Sequence, residues 1–168
     1  LPQLIAGHRH FTLIDEHSLD PRHLAEAVLA AVRATPIDLR TGIRVLSVQS
    51  IEDSVEVQTS SGVFRAARFI NCTGAWASGS SLAPGLAISP RKGQMLAVAL
   101  PPSLPLRLVI RTHGMYIVPR TTGPSAGRAI IGATIEDAGF DKTVHSGDVA
   151  RLRSLANALL PEIAEARQ

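Results

Sequence analysis

The chain has 168 residues, 45% of them hydrophobic and 18% charged. That is apolar material for one ordinary domain or two very small ones, and too little charge for a disordered polyelectrolyte. The net charge of +3 comes from fifteen Arg and two Lys scattered singly, with aromatics at 4%, whereas nucleic-acid binders cluster basic residues and interleave them with stacking rings. No apolar run approaches the roughly 18 residues of a membrane-spanning helix. The longest, Met95 to Ile110, is broken by Pro101, Pro102, Pro105 and Arg107. Neither a nucleic-acid partner nor an integral membrane segment is expected.

In chain order, Leu1-Pro2-Gln3-Leu4 has neither an initiator Met nor the layout of a signal peptide, so it reads as the cut edge of a larger protein. Asp20 as a cap and Pro21 at the first helical position start a helix over about 21–34. Leu24, Ala27, Val28, Ala31 and Val32 have the spacing of one buried helical face, and Pro36 prevents continuation. The period then changes to that of strands at Ile43–Val48, Val55–Thr59 and Val63–Cys72, with Ser60-Ser61-Gly62 as a turn. Val55, Val57 and Thr59 fall on one face, and Arg68–Cys72 is expected to be a more buried strand.

Cys72, the single cysteine, excludes an internal disulfide and any multi-cysteine metal site. It is expected to be a small buried hydrophobe in a reduced, cytoplasmic setting. Gly74 to Pro90 is a small-residue loop with a boundary near residues 78–90. Beyond it, Gln94–Leu100, Leu106–Arg111, Met115–Pro119 and Arg128–Thr134 are predicted strands, and the Pro and Gly turns between them imply antiparallel connections. A last helix over about 147–160 has Ser146 as its candidate cap. Its buried face is Val149, Leu152, Ala156 and Leu159, and Pro161 closes it. The fold class is α+β.

No complete catalytic centre is visible. The dinucleotide and phosphate glycine fingerprints and the nucleophile elbow are all missing. His8 and His10 have no carboxylate or thiol ligand nearby, so no metal is expected. Three blocks stand out. In Ile70-Asn71-Cys72-Thr73-Gly74-Ala75-Trp76, a strand end followed by Gly lets a backbone approach a flat or phosphate-bearing ligand; an ordinary turn with a packed Trp fits as well. Pro90-Arg91-Lys92-Gly93-Gln94-Met95 is a polar loop opening a strand. In Met115-Tyr116-Ile117-Val118-Pro119-Arg120, followed by Ile131-Gly132-Ala133-Thr134-Ile135-Glu136-Asp137-Ala138-Gly139-Phe140-Asp141, the only Tyr alternates with apolar residues. Its phenol could orient a carboxylate or simply sit in water.

Together and in this order, with Leu19-Asp20-Pro21 ahead of them, the blocks resemble the central region of the FAD-dependent D-amino acid oxidase superfamily, most closely its glycine oxidase branch, from about Asp15 to Pro161. The resemblance implies the excised middle of a two-domain flavoprotein. Residues 1–80 would be part of the FAD-binding domain, lacking the N-terminal glycine fingerprint, and 81–168 the antiparallel substrate-binding sheet. It implies FAD as cofactor and a small amino acid, glycine or a D-amino acid, as substrate, and no metal. Val45 matches the position whose backbone meets the FAD adenine, and Thr73, Gly74 and Trp76 match the turn beside the cofactor. Tyr116 matches the tyrosine that binds the substrate carboxylate, and Ile135 an apolar position near the substrate. No residue here takes a catalytic acid or base role, and the fragment by itself is expected to be inactive. Cys72 and Thr73 replace the usual small pair, and Gly114 stands where a relative carries His.

A dehydrogenase of glycerol 3-phosphate or a 2-hydroxy acid, from the same superfamily, is the alternative. A non-catalytic α+β module binding through an open sheet edge is a second. A homo-oligomer is an expectation of the apolar faces that removal of neighbouring layers exposes.

Overall fold

The computed structural model describes residues 7, 10–77, 85 and 87–168. Most of the expected loop and boundary at 78–90, and His8, lie outside these residues. Two compact units form: Arg22–Pro90, and Arg91–Gln168 together with the stretch up to Pro21. The unit boundaries differ from a division at residue 80 in where the stretch up to Pro21 falls. Glu16 meets Arg111 (3.7 Å) and the largely buried Asp20 meets Arg120 (3.3 Å), which ties that stretch to the second half of the chain.

In the first unit, helix α1 (Pro21–Arg33) precedes strands β1 (Val45–Ile51), β2 (Ser54–Thr59) and β3 (Gly62–Ala66) in an antiparallel meander. Two-residue turns at Glu52-Asp53 and Ser60-Ser61 set the register, pairing Ile51 with Ser54 and Thr59 with Gly62. The buried Thr59 hydroxyl donates to the Gly62 carbonyl at 2.7 Å, so its polar group is satisfied. Glu56 pairs with Arg65 directly across the ladder at 3.0 Å, and Arg40 stacks 4.7 Å from the Phe64 ring centroid.

Three expectations are corrected in this unit. The helix has its amphipathic spacing, but none of its residues is buried, and Leu24, Val28 and Leu29 are exposed. The 3.6 period reports that a face is apolar, not that something covers it. Arg68–Cys72 is not a strand, and Cys72 is exposed rather than buried. The Asn71 side-chain oxygen accepts from the Thr73 amide (3.0 Å) and hydroxyl (2.6 Å), a local turn that competes with ladder pairing. A short 3-10 turn, Gly74–Trp76, follows.

The second unit is a four-stranded antiparallel sheet of order β4-β7-β6-β5: β4 (Met95–Ala99), β5 (Ile110–Arg111), β6 (Tyr116–Arg120) and β7 (Arg128–Gly132). The expected strand over 106–111 shrinks to Ile110–Arg111. The Leu106 amide bonds back to the Leu104 carbonyl at 2.8 Å, and Pro105 has no N–H for a ladder. Helix α2 (Ser146–Asn157) and the 3-10 turn Pro161–Glu165 lie against one sheet face. Ser146 is not the cap: His145 occupies that position, and its amide donates to Gln94 Oε1 at 2.6 Å.

Because side chains alternate along strands, the sheet has two distinct faces. Leu96, Val98, Ile110, Ile117, Ala129 and Ile131 form the core with Leu152, Ala156, Leu159, Leu160 and Ile163 from the helical layer. The opposite face carries three rows set by the register: Met95–Gly132–Tyr116–Arg111, Ala97–Ile130–Val118, and Ala99–Arg128–Arg120.

Candidate active site

The first row of the open face holds Tyr116 at the start of β6. Its ring leans away from β5 across Gly132, and its hydroxyl donates to Met95 Sδ at 3.2 Å. Sulfur is a weak acceptor, so this phenol keeps the capacity to donate to a stronger one. Arg111 stands directly opposite Tyr116 in the ladder, a cation on the same face.

Ile135 lies just beyond β7 with its side chain 83% exposed, between two residues that are firmly held. Thr134 accepts from the Gln94 amide at 2.8 Å and donates to Glu136 Oε1 at 2.5 Å. The Gln94 side-chain amide donates to Glu136 (2.8 Å) and to Asp148 of α2 (3.0 Å). Lys92 and Glu136 exchange backbone hydrogen bonds at 3.0 and 2.8 Å. Lys92 Nζ, only 10% exposed, lies 3.4 Å from Glu136 and donates to the Thr143 carbonyl at 2.6 Å. The Thr134 hydroxyl first, then Gln94 and the Lys92 charge, hold the Glu136 carboxyl below its ordinary range. Hydrogen bonds from Thr143 do the same to Asp141.

Thus Pro90–Met95, by sequence a polar loop opening a strand, is the clamp that fixes the segment bearing Ile135. Gln94 and Thr134 were missed as site residues because their partners are 40 or more positions away. Gly132 and Met95 meet Tyr116 from 16 and 21 positions away, which no local pattern reports, although a Gly at the end of an apolar strand is a usable sign of close approach.

Within the first unit, Thr73, Gly74 and Trp76 come together in one turn, and Val45 starts β1 opposite Thr59. Gly74 has φ +55°, which favours glycine, and a Cβ there would meet nothing within 4 Å. Trp76 is 68% and Ile70 80% exposed. An open glycine backbone flanked by exposed apolar side chains fits the flat ring of a flavin. Among the described residues no cluster of potential metal ligands occurs, and no helix is long and apolar enough to cross a membrane.

Glycine oxidase of Geobacillus kaustophilus superposes on 86% of this chain with a TM-score of 0.73 at 32% identity, the match spanning 38% of that chain. In sequence, the same enzyme is 32% identical over 145 residues, covering 85% of this chain and 37% of its own length. The bifunctional protein ThiO/ThiG of Nostoc is 35% identical over 153 residues, which is 89% of this chain and 22% of that protein. Residues 5–168 match the FAD dependent oxidoreductase (DAO) family. The chain belongs to this family, whose cofactor is FAD, and spans between about a fifth and two fifths of the length of these relatives.

Proposed function

We propose that the protein to which this chain belongs oxidises a small amino acid, glycine or a D-amino acid. The oxidation would remove a hydride equivalent from the substrate Cα and a proton from its nitrogen. The resulting imine is hydrolysed by water to a 2-oxo acid and ammonia. Bound FAD supplies the two-electron acceptor. Val45, Thr73, Gly74 and Trp76 would hold it, the open glycine turn admitting the ring. The Tyr116 hydroxyl donates to the substrate carboxylate in exchange for Met95 Sδ, and the exposed Ile135 packs on the substrate's apolar side. Residues 1–80 would serve the flavin and 81–168 the substrate. Holding the reacting carbon by its carboxylate supplies rate through orientation rather than through a side-chain base.

The observation that carries this reading is the phenol of Tyr116, half-buried on the sheet face opposite the core with its hydroxyl donated to a thioether, in a chain similar to a glycine oxidase. The experiment is an anaerobic visible spectrum of the full-length protein before and after adding glycine. A flavin band that bleaches supports the reading. A band that persists with glycine and D-amino acids but bleaches with glycerol 3-phosphate or a 2-hydroxy acid transfers it to the dehydrogenase alternative. A colourless protein transfers it to a binding module. Tyr116→Phe should raise the substrate dissociation constant more than it slows flavin reduction; an equal loss in both removes the carboxylate role. The exposed apolar residues of α1 support self-association of the 168-residue chain by itself, and a monomeric sedimentation profile at high concentration would contradict that.

A further inference from the structure

Gly132 sits in β7, paired on both sides, to Met95 of β4 and to Tyr116 of β6. Glycine weakens a strand interior. Unlike eight other glycines among the described residues, this one has no positive φ that would call for it. Its bareness is used by a neighbour. A Cβ at this position would lie 2.6 Å from the Tyr116 hydroxyl oxygen, 2.7 Å from Cζ and 2.9 Å from Cε2, far inside the roughly 3.5–4.0 Å of ordinary contact. Ladder hydrogen bonds on both edges hold the β7 backbone, so the ring and not the strand would have to move. The phenol thus ends above β7, one strand away from its own, where the Met95 side chain reaching from β4 on the other side meets its hydroxyl with Sδ at 3.2 Å.

We propose that Gly132 and Met95 are positioning residues for the Tyr116 phenol. The missing side chain at 132 lets the ring lie across β7, and the Met95 thioether holds the hydroxyl until a substrate carboxylate takes it. This rests on the carboxylate-binding role of Tyr116 proposed above. The choice of sulfur matters because a weak acceptor gives up its donor to a charged oxygen, for which the hydrogen bond is stronger. A neutral oxygen acceptor in the same place would compete with the substrate. The recognised ligand class is therefore a free carboxylate arriving over β7, at the row Met95–Gly132–Tyr116.

The test uses the full-length flavoprotein with acetate as a non-oxidisable carboxylate, its dissociation constant measured by titration calorimetry, alongside KM and kcat for the amino acid that reduces the flavin. Gly132→Ala should raise the acetate dissociation constant and KM about tenfold with kcat within about twofold. In a Tyr116→Phe background the same substitution should add less than about twofold, because its effect runs through the hydroxyl already removed. Equal effects in both backgrounds would show a merely structural glycine and overturn the assignment. Met95→Gln, which leaves the glycine untouched, should raise the acetate dissociation constant about threefold by offering the phenol an oxygen; no change overturns the part given to Met95, even if Gly132→Ala fails to fold. If Tyr116→Phe alone leaves acetate binding unchanged while glycine still bleaches the flavin, the role of Tyr116 itself is wrong. If Tyr116→Phe weakens binding and Gly132→Ala does not, only the present inference falls.

Discussion

Ile135 shows how a single side chain can be exposed and yet held in place. It is open to solvent, while Thr134 before it and Glu136 after it are tied to Gln94, so its backbone has little freedom even though its side chain packs on little. Replacing it should consequently touch selectivity and spare stability. Ile135→Ala is expected to change the unfolding free energy by no more than a surface substitution does, about 0.5 kcal/mol. The ratio of kcat/KM between glycine and a bulkier amino acid should shift instead. A scanning melt together with rates on two substrates checks both halves; a melt lowered as for a core residue would mean that Ile135 is packed. Tyr116 was legible as a candidate from its isolation among alternating apolar residues, but that it lies over Gly132 was not, since nothing in the local pattern reports a ring crossing a neighbouring strand.

At the scale of elements, the network around Gln94 joins the start of β4, the segment after β7 and the first turn of α2. Glu136 and Asp141 both titrate below their ordinary values of 4.5 and 3.8. A lowered folded-state pKa contributes stability that is fully present above the unfolded value and is lost as pH falls through the folded one. The clamp should hence be intact at neutral pH and loosen only on acidification below about pH 4.5. Gln94→Leu removes one donor to Glu136, so its carboxyl should titrate closer to the ordinary value and the loosening should begin at higher pH. Carbon-detected NMR titration of the Glu136 carboxyl in both proteins gives the answer; a wild-type midpoint at or above 4.5 would contradict the network. Elements also show where propensity is overridden. The β-like composition of Arg68–Cys72 loses to the Asn71 turn, and the apolar run 106–109 loses to a proline and a back-bonded amide.

At the scale of the molecule, burial is unevenly divided. Nearly the whole buried apolar cluster belongs to the four-stranded sheet and its helical layer, whereas α1 contributes no buried residue. Leu152→Ala should cost about 2–5 kcal/mol, the range for a large core side chain. Val28→Ala should cost less than about 0.5 kcal/mol, because an exposed valine has little packing to lose and alanine is the better helix former. Urea unfolding of the 168-residue chain separates the two; a large cost at Val28 would mean that the apolar stripe of α1 is covered in solution. The same division explains the N-terminal stretch, which follows the second half of the chain because its carboxylates are paired there.

What the sequence by itself determined is local. The two helices, the meander and its turns and the alternation in the second sheet rest on neighbours within a few positions, where period and turn chemistry act, and the α+β class and the family resemblance rest on the order of such local blocks along the chain. Tertiary structure alone decided which apolar faces are covered, that Cys72 is exposed, that Pro90–Met95 is a clamp, and that Gly132 and Met95 frame the tyrosine. These depend on groups brought together from 16 to 54 positions apart. Burial and close approach are properties of what lies across a sheet or a layer, and a one-dimensional pattern records which face is apolar without recording what meets it.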